Sequence, residues 1–167
     1  MYQVGEYVVH PGQGVCRVED VTSGPTATYQ LMPIGERHPM RISFPVASEN
    51  RLRPVLSADE ARAIIDEYPT MEIEECPERS ANLEEEHFKR EIRNGSCQDL
   101  VRIVKTFRVR IAEVKARNKK PPVVYDRILK QASARSLQEL AVALDSTPED
   151  VKALFEDRLA QEQVENN

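Results

Sequence analysis

Tryptophan is absent from this chain of 167 residues, which has only four phenylalanines and five tyrosines. A core with so few rings must be assembled mainly from aliphatic side chains, each burying less area than an aromatic one. Glycine is also scarce, at six residues, and no Gly-x-Gly-x-x-Gly or Walker loop occurs. Gly12-Gln13-Gly14 is a fragment of such a loop, but it precedes a strand pattern where phosphate-cradling loops precede a helix, so it reads as a turn. The three cysteines, Cys16, Cys76 and Cys97, cannot all pair within one chain and lack Cys-x-x-Cys spacing, and they read as reduced thiols. His10, His38 and His87 lie far apart without flanking ligands at metal spacing, and no chemistry is assigned to them. A set of Cys76, His87 and Cys97 is conceivable as a metal site and is set aside in favour of none. With no nucleophile elbow and no His-Glu-x-x-His, the expectation is a protein without catalytic residues, metal or cofactor. No apolar run approaches membrane-spanning length, and the N-terminus lacks a basic stretch followed by an apolar one. A cytoplasmic, reducing setting is therefore expected.

What the chain has in quantity is charge, and it comes in blocks. The formal net charge is -5. Residues 1–56 carry five arginines against five acids, and residues 57–88 only Arg62 and Arg79 against eleven acids. Between Lys89 and Arg135 the sign reverses, with fourteen Lys/Arg against Glu91, Asp99, Glu113 and Asp126. From Ser136 onward it reverses again, two against eight. Because salt limits the field of each block to about 8–10 Å, a basic centre can attract phosphate although the total is negative.

The first 56 residues read as all-β. Short apolar or alternating runs occupy Tyr7 to His10, Val15 to Val21, Thr28 to Ile34, Arg41 to Phe44 and a piece near Arg51 to Val55. Pro11-Gly12, Gly24-Pro25, Gly35 and Pro39 separate them. Five short strands in so little chain suggest a small SH3-like or Tudor-like barrel, which removes open edges by near-closure. In the fourth strand, period-two alternation turns Ile42 and Phe44 inward and Arg41 and Ser43 outward.

From Ser57 the period becomes helical. Ser57-x-x-Glu60 is a capping box, Ala61, Ile64, Ile65 and Tyr68 form one stripe, and Pro69 ends the helix. Thr70 to Ser80 reads as a loop. A second helix is expected over about Asn82 to Asn94, with Leu83, Phe88 and Ile92 inward and Gly95 as a left-handed cap. The third, about Gln98 to Arg117, lines Leu100, Val104, Phe107, Ile111 and Val114 on one face, with basic residues around the rest. After Asn118 to Pro122, a fourth helix through Val124, Ile128, Leu129, Ala132, Leu137, Leu140, Ala141 and Leu144 is expected, with an interruption near Ser133 to Ser136. Thr147-Pro148-Glu149-Asp150 starts the last helix, with Val151, Leu154, Phe155 and Leu159 buried, and Gln161 to Asn167 reads as a frayed tail. The fold class is thus α+β in two domains: a small β-barrel over 1–56 and an all-α domain over 57–160.

Two surfaces invite a functional reading. Eleven Lys/Arg between Lys89 and Lys120 face only three acids, too one-sided for intrahelical pairing, which suggests phosphate contact. The alternative is an ordinary solvated face. Runs such as Glu84-Glu85-Glu86 read as a solvated face too. Leu137 to Leu159 imitates a helix-turn-helix, but the would-be recognition helix exposes Glu149, Asp150, Glu156 and Asp157 against Lys152 and Arg158. That charge would repel a DNA groove, so the pair reads as packed core helices.

The run Val4-Gly-Glu-Tyr-Val-Val-His-Pro-Gly-Gln-Gly-Val15 resembles the opening of the RNA-polymerase-interacting domain shared by CarD-type bacterial transcription regulators and the transcription-repair coupling factor. Met40 to Pro45 and Leu52-Arg53-Pro54-Val55 are similar to the same family, as are Phe88-Lys89 through Gly95-Ser96 and Asp99 to Lys105 in the helical part. The resemblance implies a Tudor-like domain that binds the polymerase β subunit by adding strand to strand, here through Met40, Arg41, Ile42, Ser43 and Phe44, with Arg41 the foremost contact. It also implies a helical domain that contacts promoter DNA near the melted bubble, without sequence specificity. The basic residues at those positions are Lys89, Arg90, Arg93, Arg102, Lys105 and Arg108. Many members wedge a tryptophan into the minor groove; the equivalent position here falls near Cys76 or Pro77. The expectation is a monomeric transcription regulator associated with the nucleoid through polymerase, with a polymerase adaptor that never touches DNA as the alternative.

Overall fold

The opening run forms a hairpin. Strands β1 (Tyr7–His10) and β2 (Gly14–Val21) pair antiparallel, with Val8 opposite Cys16 and His10 opposite Gly14. Its loop closes on itself: the Gly12 N–H donates to His10 Nδ1 at 3.0 Å and the Gln13 N–H to the His10 carbonyl at 3.2 Å. Gly14, buried at a φ of 77°, returns the chain in a conformation that strains any residue with a Cβ. These observations come from a computed structural model, which describes residues 1–75 and 80–167. The chain divides into two units, Met1–Leu56 and Ser57–Asn167.

In the first unit β3 (Thr28–Pro33), β4 (Ile42–Pro45) and the two-residue β5 (Arg53–Pro54) complete a five-stranded antiparallel sheet in the order β4-β3-β2-β1-β5. Alternation places Tyr29, Leu31 and Phe44 beside Val8, Cys16, Val18 and Leu52 in one core. The Tyr29 hydroxyl, buried with its ring, donates to Glu49 Oε2 at 2.6 Å and accepts from the Tyr2 N–H at 3.0 Å. The sheet is open, where near-closure into a barrel was expected. Closure requires β4 to pair with β5, but a 3-10 helix over Val46–Arg51 lies between them in the chain, and β5 offers only two residues, one of them proline.

The second unit is helical. Helix α1 (Ala58–Glu67) begins at the Ser57–Glu60 capping box and buries Ala61, Ile64 and Ile65, and a 3-10 turn over Tyr68–Thr70 follows at Pro69. Helices α2 (Ala81–Asn94) and α3 (Cys97–Ala116) are joined by Gly95 and Ser96, whose hydroxyl accepts from the Asp99 N–H. Helices α4 (Val123–Ala143) and α5 (Pro148–Glu165) complete the unit, the latter capped by Thr147. Phe88, Ile92, Leu100, Ile103, Val104, Phe107, Ile128 and Ala132 form its core.

Several helical details differ from expectation. Leu83 is exposed, because it lies five positions before Phe88 and so about 140° around the helix from the buried stripe. Helix α4 is uninterrupted: Ser136 is buried and its hydroxyl donates back to the Ser133 carbonyl at 3.2 Å, which satisfies it inside the helix. Leu154 is exposed while Val151 and Phe155, four apart, carry the contact face of α5. The last helix continues to Glu165 through the stretch expected to fray, with Arg158 paired to Glu162 at 3.3 Å.

Gly95 is not a left-handed cap. Its backbone is extended, with φ at -76° and ψ at 167°, and its N–H donates to the Glu91 carbonyl at 2.6 Å. Glycine is required there by space, since a Cβ would sit 2.5 Å from the Glu91 oxygen. Gly95→Ala is therefore expected to cost a net of about 1 kcal/mol, overpacking against backbone exceeding the gain from a stiffer unfolded chain. Urea unfolding checks it, and an unchanged or higher midpoint contradicts this packing account.

Candidate functional site

The first surface is the edge of the sheet. Among the described residues β4 pairs with β3 alone, Phe44 opposite Tyr29 and Ser43 opposite Gln30, so its other side has no strand partner in the sheet. The Val46 N–H donates to the Ala27 carbonyl at 3.0 Å, which sets the parity of the ladder. In an antiparallel pair every second residue turns both backbone groups toward its neighbour. Phe44 and Ile42 share the parity of Val46 and bond inward, while the N–H and C=O of Ser43, and of Arg41 as the strand extends, face the open side. Pro45 has the outward parity, where its missing N–H costs no ladder bond.

The side chains follow the same alternation. Phe44 is buried and meets the His10 ring edge to face, with centroids 5.4 Å apart. Ile42 is half-buried against the same core. Arg41 and Ser43 are exposed, as is Met40 at 78%. The Ser43 hydroxyl donates to Gln30 Oε1 at 3.0 Å. Of the five residues singled out from the sequence, Met40, Arg41 and Ser43 present side chains outward, while Phe44 and Ile42 fix the strand to its sheet.

The second surface is the basic part of the helical unit, where much of the charge is committed internally. The Lys105 ammonium donates to the carbonyls of Tyr68, Pro69 and Met71 at 2.9, 2.9 and 2.5 Å, so all three of its hydrogens are used. Burial also pushes this amine below the usual lysine range. Its place is that of a pin holding the turn after α1, and it has no hydrogen left for a phosphate. Arg110 pairs with Glu84 and lies over the Phe88 and Phe107 rings, 5.6 and 5.1 Å from their centroids. Arg102 meets Asp99 at 3.5 Å, Lys89 meets Glu85 at 3.0 Å, and Arg108 donates to the Tyr68 hydroxyl at 3.2 Å.

What is left for solvent lies elsewhere. Arg90 and Arg93 on α2 are exposed without an ion-pair partner among the described residues. So are Lys115, Arg117, Lys119 and Lys120, at the C-terminal end of α3 and just beyond it, where Asn118 turns the chain at a φ of 57°. These four belong to the basic block read from the sequence but not to the six residues named there for DNA, although four cations in six positions with no acid among them are legible. Cys76 and Pro77, near which the resemblance puts the family's tryptophan position, fall outside the described residues.

A third grouping was missed because Glu74 comes from outside the helix that carries His87 and Glu91. Glu74, His87 and Glu91 converge, with His87 Nε2 2.8 Å from Glu74 Oε1 and 3.6 Å from Glu91 Oε1. The Glu91 carboxyl is pushed up to about 7, chiefly by burial and then by the adjacent Glu74 carboxylate, with His87 pulling the other way and Asp99 adding a little. A glutamate held above its unfolded value of 4.5 contributes stability that is complete below that pH and is lost as pH rises through about 7. In EDTA-treated protein the melting temperature should fall between about pH 5 and 8. Glu91→Gln, which keeps the neutral shape, should flatten the fall. A profile that the substitution leaves unchanged contradicts this assignment.

The described residues include no helix long and apolar enough to cross a membrane. The family model for the CarD-like/TRCF RID domain matches residues 2–56, which covers the whole sheet. No curated protein matches the chain.

Proposed function

From a chain whose residues 2–56 match the family model for the CarD-like/TRCF RID domain, we propose a regulator of transcription that acts by binding and not by catalysis. The sheet docks on the RNA polymerase β subunit, and the helical unit touches promoter DNA near the melted bubble and so modulates initiation. One observation carries the docking half. The strand that the resemblance assigns to the polymerase is an edge strand, with the Ser43 backbone groups facing its open side and the side chains of Arg41 and Met40 exposed beside it. An extended segment of the partner can add there as a sixth strand, its backbone bonding to Ser43 and its acidic side chains meeting Arg41.

For the DNA half, support comes from the exposed cations: Arg90, Arg93 and Arg108, joined by Lys115, Arg117, Lys119 and Lys120. Exposed ammonium and guanidinium groups release counterions from DNA on contact, an effect independent of sequence, and of these seven only Arg108 has a described internal bond, to the Tyr68 hydroxyl. The internal engagement of Lys105, Arg102 and Lys89 favours a second reading, an adaptor on polymerase that never touches DNA. The two separate by salt dependence. Affinity of the chain for a polymerase–promoter complex, compared with polymerase alone, should show an added log-log salt slope of about 0.9 per phosphate contact. Equal slopes with and without promoter DNA would establish the adaptor.

A further inference from the structure

Glu74 reaches the helical unit's surface on the segment after the 3-10 turn, and that segment is tied down. The Glu74 N–H donates to the buried Thr106 hydroxyl at 2.9 Å, and Arg110 donates to the Glu74 carbonyl at 3.5 Å. His87 and Glu91 stand four apart on α2, on one face of the helix. One imidazole nitrogen and two carboxylate oxygens thereby lie within 4.8 Å of one another, all on half-buried residues.

The spacing is close to what a cation needs. Donors held at about 2.1 Å from a tetrahedral ion sit about 3.4 Å apart. The two separations from the imidazole, 2.8 and 3.6 Å, bracket that value, and no pair in the set exceeds 4.8 Å, within reach of side-chain rotation. The charge also calls for a cation. Two carboxylates share the site with one imidazole, Asp99 adds negative potential, and the Arg110 guanidinium pairs with Glu84. Glu91 Oε2 is buried and makes no hydrogen bond. The ion pair with His87 is made through Oε1 and leaves Oε2 unpartnered among the described residues, so a cation has a carboxylate oxygen to take.

The geometry points to Glu74, His87 and Glu91 as a binding site for a divalent first-row transition cation of the zinc type, its remaining positions filled by water. A nitrogen donor beside two carboxylates selects against magnesium and calcium, which prefer all-oxygen shells. The bound ion would link the segment leading away from α1 to the middle of α2, two parts of the unit that lie 13 residues apart.

Zinc chloride titrated into the full, EDTA-stripped chain is the test, read by calorimetry and by melting temperature. One equivalent should bind with micromolar or tighter affinity and raise the melting temperature, and a large excess of magnesium should not displace it. Glu91→Gln and His87→Ala should each weaken binding about 10-fold or more, since even an outer-shell partner's loss costs about 10–100-fold in metal affinity. Because His87→Ala also removes a ring packed on Phe88, the isosteric Glu91→Gln is the deciding variant. Glu86→Gln, exposed on the same helix, should leave binding unchanged. Cys76→Ser keeps the thiols from being mistaken for the site and should retain binding. No zinc uptake, uptake unaffected by Glu91→Gln, or uptake abolished by Cys76→Ser would each overturn the assignment.

Discussion

Phe107→Ala is expected to destabilise the chain by about 3–5 kcal/mol, the range for emptying a well-packed core of a phenyl ring. Phe107 has no exposed surface, and three aromatic or cationic neighbours converge on it. Its ring meets Phe88 and Tyr125 edge to face, at 4.8 and 5.3 Å between centroids, and the Arg110 guanidinium lies over it. It thus joins α2, α3 and α4 at one point, in a chain that has no tryptophan to share the task. Truncation leaves a cavity that three helices would have to move to fill, and it removes one of the two π-faces under Arg110. Urea unfolding followed by circular dichroism should show the loss in the helical transition. Phe107→Leu should cost distinctly less, since most of the volume stays. A loss below about 1 kcal/mol for the alanine variant would mean that the core collapses freely around this position.

Ser43→Pro should reduce affinity for a polymerase β-subunit fragment roughly 10- to 100-fold, equivalent to about 1.4–2.7 kcal/mol. Proline removes the outward N–H and puts its ring where an added strand must approach. The substitution should leave the sheet standing, because the parity set by the Val46–Ala27 bond gives that N–H no partner in β3. Pro45, two residues on and at the same parity, already shows that the edge accepts proline. Ser43→Ala is the companion variant. It loses only the exposed hydroxyl bond to Gln30 and should bind nearly as well as the native chain. Undiminished binding by Ser43→Pro would remove β4 from the interface.

Local chemistry explains which elements were legible in the sequence. The Ile42-Ser43-Phe44 alternation and the Ser57–Glu60 box are each written in a few adjacent residues, and both hold in the structure. The edge position of β4 was not legible in the same way, since it depends on strand order, which only the complete sheet defines. Lys105 on a helical wheel belongs with the solvated residues. Only the turn over Tyr68–Thr70 and the chain after it, more than thirty residues away, cover it and draw its ammonium onto three carbonyls. The Glu74–His87–Glu91 cluster is hidden for the same reason. His87 and Glu91 have helical spacing, but the third member arrives from outside the helix. Gly95 shows a different limit: a glycine after a helix suggests φ above zero, while here the constraint is the carbonyl of Glu91 against a missing Cβ.

Docking through the sheet, independent of DNA, is the central claim, and binding of the full chain to RNA polymerase in the absence of any nucleic acid tests it most directly. The account predicts a complex of one chain per polymerase that forms without promoter DNA, weakens with Arg41→Glu, and is indifferent to Lys115→Glu with Arg117→Glu. Binding that appears only when DNA is present, or that is lost with the paired α3 substitutions and not with Arg41→Glu, would contradict it.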